Sequence, residues 1–136
     1  MALGNIVMDE TGSVTGWRVL SHDATGTRIE ISAQLSGTIR GVAETTLWTY
    51  NTLTRPDGSM YGEGLGIMTT QDGDVIALTG HGSAKAVGAG ETTRFRTMLH
   101  AHSASAKYAD LNSIGLVGEY DVAPSGSATN KNWEWK

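Results

Sequence analysis

No cysteine occurs among the 136 residues, so neither a disulfide framework nor a thiolate metal site is open to this chain. Proline occurs twice, both times in a segment that reads as a turn, so it breaks no strand interior. Charge is scarce: Asp, Glu, Lys and Arg make up 18% of the chain, with 10 basic against 14 acidic residues and a formal net charge of −4. No lysine or arginine cluster offsets that balance, which argues against a phosphate-binding surface and excludes nucleic acid as the main partner. Long apolar runs are missing too. The opening stretch, Met1-Ala-Leu-Gly-Asn-Ile-Val-Met-Asp-Glu10, has no basic n-region and only a broken apolar segment. It does not read as a signal peptide, and no later segment approaches membrane-spanning length. The expectation is a soluble, cytoplasmic protein with no membrane partner.

What is abundant is glycine, with 18 residues, beside many Thr and Ser. That composition favours strands and turns over helices. The length fits a single domain, 1–136, large enough to bury a core without staples. Period-2 runs recur along almost the whole chain and predict strands at about Gly12–Asp23, Thr27–Gly41, Ala43–Thr54, Met60–Thr70, Val75–Val87, Thr92–Ser103, Ile114–Val122 and Asn130–Trp135. Only 104–112 lacks alternation, where Ser103 or Ser105 could cap a short helical turn through Tyr108 and Leu111. Long strands joined by short hairpins, with no amphipathic helix to cover a flat face, predict an all-β fold: one eight-stranded antiparallel up-and-down barrel. A barrel of that size has room for its own side chains or for one small ligand.

Two Asp-Gly turns, in Arg55-Pro-Asp-Gly-Ser59 and Thr70-Gln-Asp-Gly-Asp74, are strong hairpin signals because glycine takes the positive φ the turn needs. The first suits a type I turn with a glycine bulge, which lays Trp48 and Tyr50 over Gly66 and Gly64. The second allows two registers. A two-residue turn sets Glu63 opposite Gly82 and groups Leu65 and Ile67 with Ile76 and Leu78. A bulged three-residue loop sets Glu63 opposite His81. One residue of slip exchanges the faces completely.

Between these turns Gly62, Gly64 and Gly66 share one face of a strand, and Tyr61, Glu63, Leu65 and Ile67 share the other. Three alternate glycines are expected only where a sheet bends sharply or something bulky packs against it. The ionisable residues on the predicted strands are Glu63, His81, Arg94, Arg96, His100, His102 and Glu119. Glu63 among apolar neighbours is the first candidate for a lumenal acid, base or polar anchor. His81, flanked by Gly80 and Gly82, is its candidate partner for acid–base work. Arg96 and His100 read either as a solvated stripe with Arg94 and His102 or as a lumenal anion clamp with Glu63. Trp48, Tyr50, Tyr61 and Leu65 complete the expected cavity lining. Trp133 and Trp135 share one face of the last strand, where they would plug or flank the core. His100 and His102 lack further ligands at a specific spacing, so no metal is expected, and no cofactor either. Gly62–Gly66 is not a phosphate loop, since no helix follows it, and no Gly-x-Ser-x-Gly elbow supplies a nucleophile.

The set Thr49-Tyr50, Arg55-Pro-Asp-Gly58, Tyr61-Gly-Glu-Gly64, Thr70-Gln-Asp-Gly73, Thr79-Gly-His-Gly82 and Trp133-Glu-Trp-Lys136 resembles a family of small uncharacterised prokaryotic proteins. That family is similar to the allene oxide cyclase-like barrels, whose superfamily includes plant dirigent proteins. The resemblance implies an eight-stranded barrel with a central cavity, often a dimer or trimer, whose relatives steer reactive hydrophobic substrates by shape. No catalytic residue of the cyclases maps onto this chain. Three expectations follow. The barrel binds a small hydrophobic or amphipathic molecule, or acts as a cofactor-independent cyclase or isomerase through Glu63 and His81, or serves as a structural homo-oligomer. Association would use the face around Gly62, Gly64 and Gly66, which is smooth if Trp48 and Tyr50 do not cover it.

Overall fold

The computed structural model describes residues 3–136. Eight strands run in chain order: β1 (Leu3–Asp23), β2 (Gly26–Ile39), β3 (Val42–Thr54), β4 (Met60–Thr70), β5 (Val75–Ala84), β6 (Thr93–His102), β7 (Gly115–Val122) and β8 (Ser127–Trp135). Each pairs antiparallel with its neighbours, and β1 pairs with β8, so the sheet is a closed barrel. Closure satisfies the edge hydrogen bonds that an open meander would leave exposed. The main departure from the expected boundaries is β1, which begins at Leu3 rather than Gly12. Its first residues do not alternate cleanly because the pairing with β8 shifts register between Leu3 and Ile6 and again between Ile6 and Met8.

Both Asp-Gly turns adopt the bulged form. Gly58 and Gly73 take φ of 86° and 88°. The Arg55 and Thr70 amides donate across the necks of their loops to Ser59 and Asp74 carbonyls, each at 2.9 Å. Trp48 therefore pairs with Gly66 and Tyr50 with Gly64, while Glu63 falls opposite His81. The apolar grouping of Leu65 and Ile67 with Ile76 and Leu78 does not form. The three-residue loop puts Ala77 and Thr79 opposite them instead.

One end of the barrel is sealed. Val7, Met8, Ile39, Met68, Ile76 and Leu116 belong to a buried apolar cluster there. A 3-10 helix, Ala106–Ser113, contributes Tyr108 and Leu111 to the same cluster. This is the expected helical turn, although no serine side chain caps it. Ser103 instead ties its two ends: its amide donates to Asn112 Oδ1 at 2.8 Å, and Asn112 Nδ2 donates back to the Ser103 carbonyl at 3.0 Å. Two ion pairs, Arg40–Asp110 and Lys107–Asp72, pin the helix to the β2–β3 and β4–β5 turns.

The opposite end is extended on one side. Pairing of β1 with β8 ends at Ser13–Ser127, whereas pairing with β2 continues to Asp23–Gly26. In that extension Trp17 pairs with Ile31 and Val19 with Ile29, so their side chains continue the inner face past the mouth. Trp17 is 61% exposed and Val19 66%.

Candidate functional site

The alternation of β4 settles which face is inside. Gly62, Met68 and Thr70 are buried, and the glycines at 64 and 66 lie on the same side, while Glu63, Leu65 and Ile67 are exposed. The glycines face the lumen because aromatic side chains occupy the space that their Cβ atoms would need. A Cβ on Gly66 would lie 2.8 Å from the Trp48 ring, and one on Gly64 would collide with Tyr50. Across β5, Gly82 pairs with Gly62 and Gly80 with Gly64, which makes a four-glycine patch of bare backbone on the inner wall.

This placement corrects most of the expected site. Glu63 and His81 are neighbours, but on the outer surface, and both side chains are exposed. Tyr61 joins them, donating from its hydroxyl to Glu63 Oε2 at 3.4 Å and lying 6.4 Å from the His81 ring. Leu65 is 67% exposed. Arg96 points outward and bonds the Phe95 carbonyl and Asp121. His100 is exposed and, with Arg94, Arg96 and His102, forms the solvated stripe that was one of the two readings. Glu63, Leu65, His81 and His100 surround a shallow outer depression rather than a lumen. Trp133 is half-buried and Trp135 exposed, because Asn132 and Glu134 take the inner face of β8. The glycine face expected to join copies is inside. Among the described residues, no group of three or more His, Asp and Glu side chains is placed to hold a metal ion.

Trp48 and Tyr50 line the lumen. A cavity of about 70 Å³ lies between them, the glycine patch and the facing strands. The β6–β8 side contributes Phe95, Thr97, Leu99, Tyr120 and Asn130; the backbone at Glu63 and His81 runs through the glycine wall. Tyr50 and Tyr120 meet edge to face with centroids 5.7 Å apart, and their hydroxyls are hydrogen-bonded at 2.9 Å. Phe95 stacks on Tyr120 at 6.1 Å. Burial raises the pKa of both phenols. For Tyr120 the bond from Tyr50 opposes that rise and the nearby Glu10 carboxylate adds to it. Both therefore remain neutral hydrogen-bonding groups at physiological pH.

The interior is more polar than the sequence suggested. Glu10 is 1% exposed, Glu44 5%, and Thr46 and Asn132 are fully buried. On the inner face Gly37 stands between Glu10 and Glu44 in the cross-strand row, so no side chain separates the two carboxyls. Thr46 Oγ1 lies 2.8 Å from Glu10 Oε2 and 2.6 Å from Glu44 Oε2, and Asn130 Nδ2 donates to Glu10 Oε1 at 2.8 Å. Burial pushes the Glu44 carboxyl up to about 8, and neighbouring Glu10 adds to that shift while Thr46 opposes it. On the adjoining wall, Thr97 Oγ1 and both polar atoms of the Asn132 side chain are buried without a hydrogen-bond partner among the described residues. They lean over Gly118, where a Cβ would strike both.

Comparison with known proteins bears on the fold. No protein-family model and no curated protein matches the sequence. Solved structures do. A protein with unknown function from Clostridium acetobutylicum superposes with a TM-score of 0.84 at 19% identity, covering 100% of both chains. A conserved protein of unknown function from Rhodopseudomonas palustris gives 0.80 at 16% identity, with 99% of each chain covered. A β-barrel-like protein from Acinetobacter baumannii gives 0.80 at 17%, covering 99% of this chain and 96% of its own. These likenesses show the barrel fold. Among the described residues no helix is long and apolar enough to cross a membrane.

Proposed function

We propose that the barrel binds a small, largely apolar molecule in its lumen. The observation that supports this best is the cavity between Trp48, Tyr50, Phe95 and the glycine patch. Glycine at five inward positions of β4 and β5 forgoes apolar packing and has a large chain-entropy cost. At Gly62, where a Cβ would meet only ordinary contacts, glycine leaves unfilled a space that a close-packed core would occupy. A concave, mainly aromatic wall with a few convergent polar groups is also the usual make-up of a small-molecule site. The polar anchor is the Tyr50–Tyr120 pair with Asn130, in place of the outward-facing Glu63. The sequence resemblance to allene oxide cyclase-like barrels supports a lumenal ligand and carries no activity over. A Glu63–His81 acid–base reaction gains no support, since neither side chain is enclosed.

The test is native purification followed by mass spectrometry of co-purifying molecules. Gly62→Leu should fold and lose them, because a Cβ at Gly62 has ordinary contacts and the longer side chain enters the cavity. Glu63→Leu should retain the same set. Loss in Glu63→Leu with retention in Gly62→Leu would place the ligand outside the lumen and end this reading.

A further inference from the structure

We infer that the lumen selects an uncharged ligand whose apolar body carries a hydroxyl or primary amide. The inference rests on the proposed lumenal binding and specifies its ligand class. Three observations carry it. First, Thr97 and Asn132 face each other over Gly118 with their side-chain oxygens unpaired, and the Asn132 amide nitrogen is unpaired as well. Buried polar groups are normally satisfied, so this pair calls for a partner that both donates and accepts. An ether or a hydrocarbon cannot supply both. Thr97 is itself part of the cavity wall, which brings a bound molecule to this pair.

Second, the pair lies beside two buried carboxyls that share one threonine hydroxyl. Asn130, on the cavity wall, is bonded to Glu10, and Glu10 shares Thr46 with Glu44. A carboxylate entering here would meet these buried carboxyls, and among the described residues no lysine or arginine lines the cavity. Arg94 and Arg96 project from the outer face, and Arg40, at the sealed end, is already paired with Asp110 and Glu134. Buried like charges are strongly unfavourable, so an anionic group is rejected. Third, the anion already has partners. Asn130 and Thr46 hold the Glu10 oxygens, and the proton shared with Glu44 halves the charge of the pair. An ammonium ligand would have to be desolvated against a carboxylate already satisfied, which removes most of its advantage.

Probes smaller than benzene suit a cavity of about 70 Å³, since an apolar cavity known to admit benzene is roughly 150 Å³. Propan-2-ol, propane, isobutyrate and isopropylammonium can be compared by NMR titration of the labelled protein at pH 7.5, following the Thr97 and Gly118 amides. Propan-2-ol should bind at least about tenfold more tightly than the carboxylate, and measurably more tightly than propane. Thr97→Val, close to isosteric, should lower affinity for the alcohol and leave that for propane within about twofold. Asn132→Leu combined with Thr97→Val should bring the two affinities together. Tighter binding of the carboxylate or the ammonium than of the alcohol overturns the selectivity. So does an alcohol preference that survives Thr97→Val. If propane binds and the alcohol is no better, the inference fails while lumenal binding stands; if no probe binds, both fail.

Discussion

Glu10 and Glu44 meet through a single hydroxyl, Thr46 Oγ1, at 2.8 and 2.6 Å. A threonine hydroxyl has one proton to donate. With both carboxyls ionised, one of these two short contacts would set oxygen against oxygen with no hydrogen between them. With Glu44 protonated, both contacts are hydrogen bonds: Glu44 donates to Thr46, and Thr46 donates to Glu10. Energetics favour the same arrangement. Holding a proton two to three pH units above a carboxyl's usual pKa costs about 3–4 kcal/mol. Two unit charges 4 Å apart repel by about 4 kcal/mol even at an effective dielectric of 20, before either is desolvated.

The shared proton predicts a particular pH dependence. Glu44 has an ordinary value of 4.5 and is raised to about 8 in the fold. Below 4.5 both folded and unfolded chains hold the proton and the group is neutral to stability. Between 4.5 and 8 the folded chain holds a proton that the unfolded chain has lost, so stability falls as pH rises. The slope approaches 1.4 kcal/mol per pH unit for one proton. Above 8 the contribution is flat. Glu44→Gln removes this slope. Urea denaturation at pH 5, 6.5 and 8 should show the variant gaining steadily on the natural protein. Parallel stability curves would mean that Glu44 is ionised in the fold.

The glycine patch yields a paired prediction. A Cβ at Gly64 would collide with Tyr50 and lie 2.6 Å from the Thr49 carbonyl oxygen. Gly64→Ala should therefore cost about 1–3 kcal/mol of strain, only partly offset by the 0.5–1 kcal/mol that alanine recovers in chain entropy. At Gly62 the nearest atoms stand 3.4 and 3.5 Å away. Gly62→Ala should be neutral or slightly stabilising. Denaturation midpoints of the two variants separate a packing constraint from a general need for glycine in this strand.

Topology was legible in the sequence because each hairpin carries its own turn chemistry and each strand its own alternation. The site was less so, for three physical reasons. At Gln71-Asp72-Gly73 both loop lengths gave a sensible pairing, and only the Thr70 amide's bond to the Asp74 carbonyl decides between them. In β4 the glycines read as the outer face because Tyr61, Leu65 and Ile67 look like core, yet Trp48 and Tyr50 need the inner space more. Alternation becomes regular only from Gly12, which leaves Glu10 outside the legible part of β1, and Glu44 lies at the start of a strand whose most prominent side chains are Trp48 and Tyr50. Buried carboxylates are costly enough that sequence reasoning sends them to the surface. Here a shared proton, Thr46 and Asn130 make them tolerable, and no local pattern announces that arrangement.

Glu63 and His81 supply a prediction that inverts the sequence reading. Both are exposed on the outer face of β4 and β5, and the nearest hydrogen bond to Glu63 is the long one from Tyr61. Glu63→Gln and His81→Ala should each change stability by no more than about 0.5 kcal/mol. Neither should change the affinity of a lumenal ligand, which fluorescence of the lumenal Trp48 can follow. A change in affinity of tenfold or more in either variant would show that the outer pair communicates with the cavity through the glycine wall.

Self-association, expected from the sequence as a dimer or trimer, requires a different surface from the one first expected. The glycine face is internal, and a closed barrel offers no free strand edge within its wall for another chain to extend. What remains is the outer face of β3 and β4, where Leu47 pairs with Ile67 and Leu65 lies one pair along. These side chains are 56%, 43% and 67% exposed. Their cross-strand neighbours on that face are Thr49 opposite Leu65 and Thr69 opposite Thr45, and charge enters only at its border, where Glu63 follows Leu65. Sedimentation velocity at high micromolar concentration should show an oligomer, and Leu65→Lys, which adds charge to the most exposed position, should shift it to monomer without loss of thermal stability. A monomeric natural protein would rule out association. An oligomer indifferent to Leu65→Lys would move the contact to the Trp17 and Val19 extension beyond the barrel mouth.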